Sequence, residues 1–319
     1  MLRNVLDIID ILDDPSASGE SVASLLRSVV ATAELSDPAP RIGVQTVQGD
    51  HGHTDFVRVL VPGTSGKLAG GTAPTLGVVG RLGGIGARPE LVGMTSDGDG
   101  AAAALSVASK LLTMYARGDR LDGDVMIATH VCPDAPTLPH DPVSFMDSPV
   151  DIATMNANEV DSEMDAVLSI DTTKGNALIN HRGVALSPTV RQGYILKVSD
   201  SLVRTMEIVS GEPAVTFPIT LQDITPYGNG VFHVNSILQP ATATPAPVVG
   251  LAITTVTAVP GCATGASHET DIALAARFAV EVAKDFGAGR TTFSDDAEFA
   301  RLQHLYGPMD RFQTLGQEN

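Results

Sequence analysis

Apolar residues recur in two rhythms along this chain, and the points where the rhythm changes divide it into elements. Val5, Ile8, Ile9 and Leu12 share one helical face, and Val22, Leu25, Leu26, Val29 and Val30 form a second such stripe. Asp14-Pro15-Ser16-Ala17-Ser18-Gly19 breaks the two, and Ser18 or Gly19 with Glu20 can begin the second helix. Residues 41–47 and 55–61 alternate with period two about Gly49-Asp50-His51-Gly52, which predicts a β-hairpin. Residues 76–80, 124–131, 166–170, 194–198 and 248–256 read as further strands, while 101–115, 201–210 and 271–286 read as helices, the last stopped by Gly287. Strands alternating with helices predict an α/β fold, with a mostly parallel central sheet flanked by helices on both faces. One domain over residues 1–290 and a polar C-terminal tail over 291–319 are expected, with Phe293, Phe299, Leu302, Leu305, Tyr306 and Phe312 as the tail's possible anchors.

Composition narrows the class. Hydrophobic residues make up 43% of 319, enough for a substantial core. The net charge of −17 repels phosphate backbones and anionic lipid, which argues against nucleic-acid and membrane partners. No run of about 20 uncharged apolar residues occurs. The first apolar stretch is interrupted by Arg3, Asp7 and Asp10, unlike a secretory signal. Two cysteines, Cys132 and Cys262, make no disulfide framework, and a cytoplasmic location is expected.

Candidate chemistry gathers at the carboxyl ends of the predicted strands, the edge where open α/β sheets bind ligands. Asp97 lies in Ser96-Asp97-Gly98-Asp99-Gly100 ahead of an Ala-rich helix, and Asp134 follows Cys132-Pro133. Asp171 ends a strand in Ser169-Ile170-Asp171-Thr172-Thr173, and His268 opens the last long helix in Ser267-His268-Glu269. Three carboxylates and an imidazole would suit a hard or borderline divalent cation. No phosphate-binding loop, dinucleotide fingerprint or serine-nucleophile elbow is present.

In these stretches the chain resembles the zinc aminopeptidase superfamily, especially the glutamyl and deblocking aminopeptidases, from about Val5 to about Phe286. Leu6-Asp7-Ile8-Ile9 through Ser18-Gly19-Glu20 is similar to that family's opening. The resemblance implies a zinc-peptidase-like fold, hydrolysis of an amide or peptide-like bond, and homo-oligomers. It makes Asp97, Asp134, His268 and Asp171 metal ligands, with Asp97 in the bridging position. The chain also resembles a bacterial family known only as a domain of unknown function, which carries no activity with it. Two departures are specific. Arg81-Leu82-Gly83 stands where the superfamily has His-x-Asp, and Pro133 stands where it has the general-base glutamate. A proline cannot take a proton from a metal-bound water. The expected site is therefore reduced and mononuclear, with one divalent metal, zinc. In this reading Arg81 replaces the second cation between Asp97 and Asp171; the plainer reading pairs it with a surface acid.

Other residues carry alternatives. Cys132, Cys262 and Glu269 would line the cleft with Arg81. Either cysteine could ligate zinc or act as a nucleophile, or be a small buried apolar residue. Glu269 could act as a base or simply complement a helix N-terminus. His51 and His53 could add an imidazole ligand, but a polar turn accounts for them. His130 reads as a structural histidine. Glu159, Asp161 and Glu163 read as a solvated face, and Tyr227-Gly228-Asn229-Gly230 as a turn or a substrate-facing loop. Three functions remain open: a metal-dependent hydrolase, a non-catalytic module holding an amino acid or peptide, and an assembly protein.

Overall fold

A computed structural model describes residues 1–14, 16–34, 37–81, 93–133, 135–139, 143–218 and 235–314. Helices α1 (Leu2–Leu12) and α2 (Gly19–Val30) precede the hairpin of β1 (Arg41–Gly49) and β2 (Gly52–Val61). Then come β3 (Leu76–Gly80), α3 (Asp99–Ala116) and β4 (Val125–Val131). A small hairpin of β5 (Thr137–Leu138) and β6 (Phe145–Met146) leads to α4 (Ile152–Glu159) and β7 (Ala166–Thr173). The chain continues through β8 (Gly183–Arg191), β9 (Tyr194–Leu196), α5 (Asp200–Ser210), β10 (Val248–Thr254), α6 (Glu269–Gly287) and α7 (Asp296–Tyr306).

The main sheet runs β1-β2-β4-β3-β7-β10-β8-β9. Only its centre, β4-β3-β7-β10, is parallel. Both margins are antiparallel, so the sheet is mixed, where the alternation of elements had pointed to a mostly parallel one. The reason is local. β1 and β2 are joined by a two-residue turn, and β8 and β9 by Gln192 and Gly193, which take positive φ; connections this short can only reverse the strand.

Neighbouring residues on each central strand feed opposite cores. Val78, Leu168 and Leu251 pack with Val5, Leu26, Leu105 and Ile272 under the helical layer of α1, α2, α3, α5 and α6. Val79, Val167 and Ala252 pack on the other face against Ile237 and Leu238 of a 3-10 helix, Ser236–Thr242. Buried on both faces, these strands read as unbroken apolar runs. Helix α2 begins with a reciprocal cap between Ser18 and Ser21, and the Gly19 N–H donates to the Asp55 carboxylate at 2.8 Å. Ala101 to Ala104 on α3 are fully buried, which lets that helix approach the sheet closely.

At the start of α3, a Cβ on Gly100 would fall 2.6 Å from the Ile170 carbonyl oxygen and 2.9 Å from that of Arg81. Gly100→Ala is therefore expected to push α3 off the sheet edge and destabilise the fold by about 1–3 kcal/mol, read by urea denaturation. Unchanged stability would mean that the helix can shift without cost.

The C-terminal segment docks on the domain as far as it is described. Phe293 and Phe299 are buried, and the Arg191 guanidinium stacks 4.2 Å from the Phe299 ring centre. Tyr306 and Phe312 are exposed. Among the described residues no helix is long and apolar enough to cross a membrane.

Candidate functional site

Two polar clusters lie at the carboxyl end of the parallel strands. The first is acidic. Asp97 sits in a 3-10 turn, Ser96–Gly98, pinned to the loop before α6: its own N–H donates to the Gly261 carbonyl at 3.1 Å, and the Ser96 N–H to that of Ala263 at 2.9 Å. Gly261 is required here, since a Cβ on it would fall 2.1 Å from Asp97 Oδ2. Asp171, at the end of β7, accepts the Thr172 N–H on Oδ1 at 2.7 Å and the Ser236 hydroxyl on Oδ2 at 3.0 Å. Asp99, in the first turn of α3, accepts the Lys174 ammonium on Oδ2 at 2.9 Å and the Ser267 hydroxyl on Oδ1.

Asp99 and Asp171 are buried, whereas Asp97 keeps partial exposure. Desolvation, then the charges of Asp171 and Asp99, push the Asp97 carboxyl up to about 7, against the opposing pull of Lys174 and the Met146 N–H. Burial likewise raises Asp99, opposed by Lys174, Ser267 and His268. His268 caps α6 and is half-buried, and its charge bears on Asp99. Glu269 is exposed in the first turn of α6, where its charge complements the helix dipole.

Sequence reasoning missed Asp99 and Lys174. Their signal was present but weak: an acid two residues beyond Asp97, and a lysine three beyond Asp171. Three carboxylates bear on one another here, with Lys174 and His268 acting against Asp99. Donors alone do not complete a cage: among the described residues no three His, Cys, Asp or Glu side chains come together to hold a metal. Asp134, the remaining predicted ligand, lies outside the described residues, as do the loops holding Gly83-Gly84 and Tyr227-Gly228.

The second cluster corrects two expectations. Arg81 does not stand between Asp97 and Asp171. Its guanidinium points toward α4, where Nη1 donates to Glu159 Oε2 at 2.7 Å and Asn156 Oδ1 at 3.3 Å. The cation beside the acid pocket is Lys174 instead. Nor is Glu159 on a solvated face. It ends α4 fully buried, and its Oε1 meets His130 Nδ1 at 2.5 Å. Three acids in five residues look like surface, yet Glu159 lies on the last turn of an eight-residue helix with its side chain under the sheet. Asp161 and Glu163 remain outside, paired with Arg58 and Lys67.

His130 and Cys132 alternate with Val131 on and beyond β4, so both face this layer. Burial opposes a charged imidazole, but Cys132 and Glu159 together raise His130 to about 10. The Cys132 sulfur lies 2.9 Å from the Thr54 hydroxyl. Cys132 and Cys262 are buried, and they pack with Ala135 and Met146 in one small cluster. Since the Met146 N–H supports Asp97, the cysteines adjoin the acid pocket. His51 and His53 lie on the β1–β2 hairpin, as a polar turn would place them.

The model of DUF1177, a family described as proteins of unknown function, matches residues 45–316, and the chain belongs to that family. No curated protein matches the chain.

Proposed function

We propose that this protein is a metal-dependent hydrolase of an amide or peptide-like bond, a zinc-peptidase-like α/β domain with a single-metal site. The observation that carries the reading is the clustering of carboxylates at the sheet's carboxyl edge. Asp97, Asp99 and Asp171 bear on one another there, with the Lys174 ammonium and the His268 charge acting against Asp99. Carboxylates gathered in low dielectric repel one another strongly, and a divalent cation relieves that repulsion. Asp97, Asp134 and His268 would hold it, and zinc would supply Lewis-acid activation of a water and a carbonyl.

The chain's own residues set the frame. Ser236 and the Thr172 N–H hold the Asp171 carboxylate in one orientation. Lys174 and Ser267 occupy both oxygens of Asp99, which would keep that carboxylate out of the ligand set and leave Asp97, partly exposed, to face an incoming group. The acidic composition agrees with a cytoplasmic protein acting on small amide or peptide substrates as a homo-oligomer.

One feature favours a second reading, a non-catalytic pocket for an amino acid or peptide. Lys174 already supplies an ammonium to Asp99, and Pro133 offers no proton acceptor where the zinc aminopeptidases that the sequence resembles have their base. An ammonium from a ligand could satisfy Asp97 as Lys174 satisfies Asp99.

Elemental analysis of untagged protein separates the two. About one zinc, manganese or similar ion per chain is expected, lost in an Asp97→Asn, His268→Ala double variant that keeps its helical circular dichroism. Absence of metal in both proteins after reconstitution would overturn the hydrolase and leave the amine-binding pocket.

A further inference from the structure

The Arg81 cluster has donors to spare. Glu159 takes Arg81 Nη1 on one oxygen and His130 on the other, so both cationic heads sit around a single carboxylate. Asn156 fixes the arrangement: its Oδ1 accepts Arg81 Nη1, and its Nδ2 donates to the Gln239 carbonyl at 3.2 Å. After these bonds, Arg81 Nε, Arg81 Nη2 and His130 Nε2 have no partner among the described residues. Ser169, on the adjoining strand and the same sheet face, has a hydroxyl likewise without one. Arg81 is 1% exposed and His130 and Ser169 are 0% exposed, so bulk solvent does not reach these groups.

Two features define what would satisfy them. Nε and Nη2 form the edge of guanidinium that presents two parallel N–H donors, the edge that matches a planar oxyanion. The cluster holds Arg81 and His130 around the Glu159 carboxylate, with Cys132 also facing the imidazole. Buried guanidinium donors without acceptors call for a small group that accepts on two oxygens, such as a carboxylate.

We propose that Arg81, His130 and Ser169 form a binding site for a carboxylate, received on the Nε–Nη2 edge of Arg81 and completed by His130 Nε2 and the Ser169 hydroxyl. A carboxylate could arrive as a free small acid or as part of a larger amino acid or peptide.

The test uses the intact chain, with sodium formate titrated against sodium chloride at equal ionic strength. Binding is followed by thermal denaturation and by the chemical shift of ¹³C-formate. Formate is expected to raise Tm saturably, with chloride giving no comparable rise. Arg81→Lys keeps a positive charge for Glu159 but loses the fork, and is expected to weaken formate about tenfold or more. Ser169→Ala removes a hydroxyl that has no partner to lose, so it should fold normally and weaken formate a few-fold. Tighter binding of glycylglycine than of formate would support the site with a ligand-borne carboxylate as its occupant; formate binding alone would support it with a free small acid. No saturable formate effect in the wild-type chain, or equal affinity in Ser169→Ala and Arg81→Lys, would overturn it.

Discussion

Glu159→Gln is expected to destabilise the folded chain by about 3–5 kcal/mol, the scale for breaking a buried ion pair on one side. The substitution keeps the volume and leaves Arg81 and His130 buried without their shared anion. A surface glutamate would cost little, because exposed pairs contribute about 0–1 kcal/mol. Urea denaturation therefore decides between an anchor and an ornament, and a loss below about 1 kcal/mol would remove Glu159 from the architecture.

The same cluster predicts an alkaline limit. Facing the His130 imidazole are Cys132 from its own strand end and Glu159 from α4, with Arg81 on the far side of that carboxylate. Its folded value is about 10, above the ordinary 6.5, so the folded state holds a proton that the unfolded chain releases. That contribution is complete below about pH 6.5 and is lost as pH rises through about 10, with a slope near 1.4 kcal/mol per pH unit. In Glu159→Gln the decline should flatten, since one of the groups that raise His130 is gone. A wild-type stability that is level from pH 7 to 10 would contradict a protonated His130.

Much of this frame was legible in the sequence, for reasons that differ between elements. The hairpin about Gly49-Asp50-His51-Gly52 was readable because its alternation and turn residues agree, and its register closes at Gly49 and Gly52. Helices α1, α2, α3 and α6 announce themselves by long periodic or Ala-rich runs. Helix α4 did not, because eight residues with an Asn-rich, nearly balanced sequence carry little periodic signal. Strand β8 was hidden by Pro188, which reads as a turn but sits beside the register shift between β10 and β8, where a missing N–H is tolerated. Of the site, Asp97 and Asp171 were found because strand ends and helix starts can be located in one dimension. The partners of Arg81 could not be, since the 78-position separation between it and Glu159 is bridged only by the fold. Nothing local distinguishes a guanidinium aimed at Asp97 from one aimed beneath the sheet.

Lys174→Met is expected to produce the other large effect. Lys174 is 6% exposed and Asp99 is fully buried, so removing the ammonium strips Asp99 of its ion pair beside Asp97 and Asp171. The expected loss is about 3–5 kcal/mol in metal-free buffer. Zinc or manganese should then restore Tm by a larger increment than in the wild type, because a ligand that binds only the folded state stabilises it in proportion to its affinity, and the affinity rises when a competing positive charge is gone. Lys174→Arg separates charge from shape: it keeps the cation and should show the wild-type metal response even if the longer side chain strains the pocket. A Lys174→Met protein that is destabilised but indifferent to divalent cations would mean that the three aspartates answer to an ammonium alone, and would favour the amine-binding reading. One that gains a tightly held ion would show Lys174 to be what limits the pocket to a single metal, the role the sequence had given to Arg81.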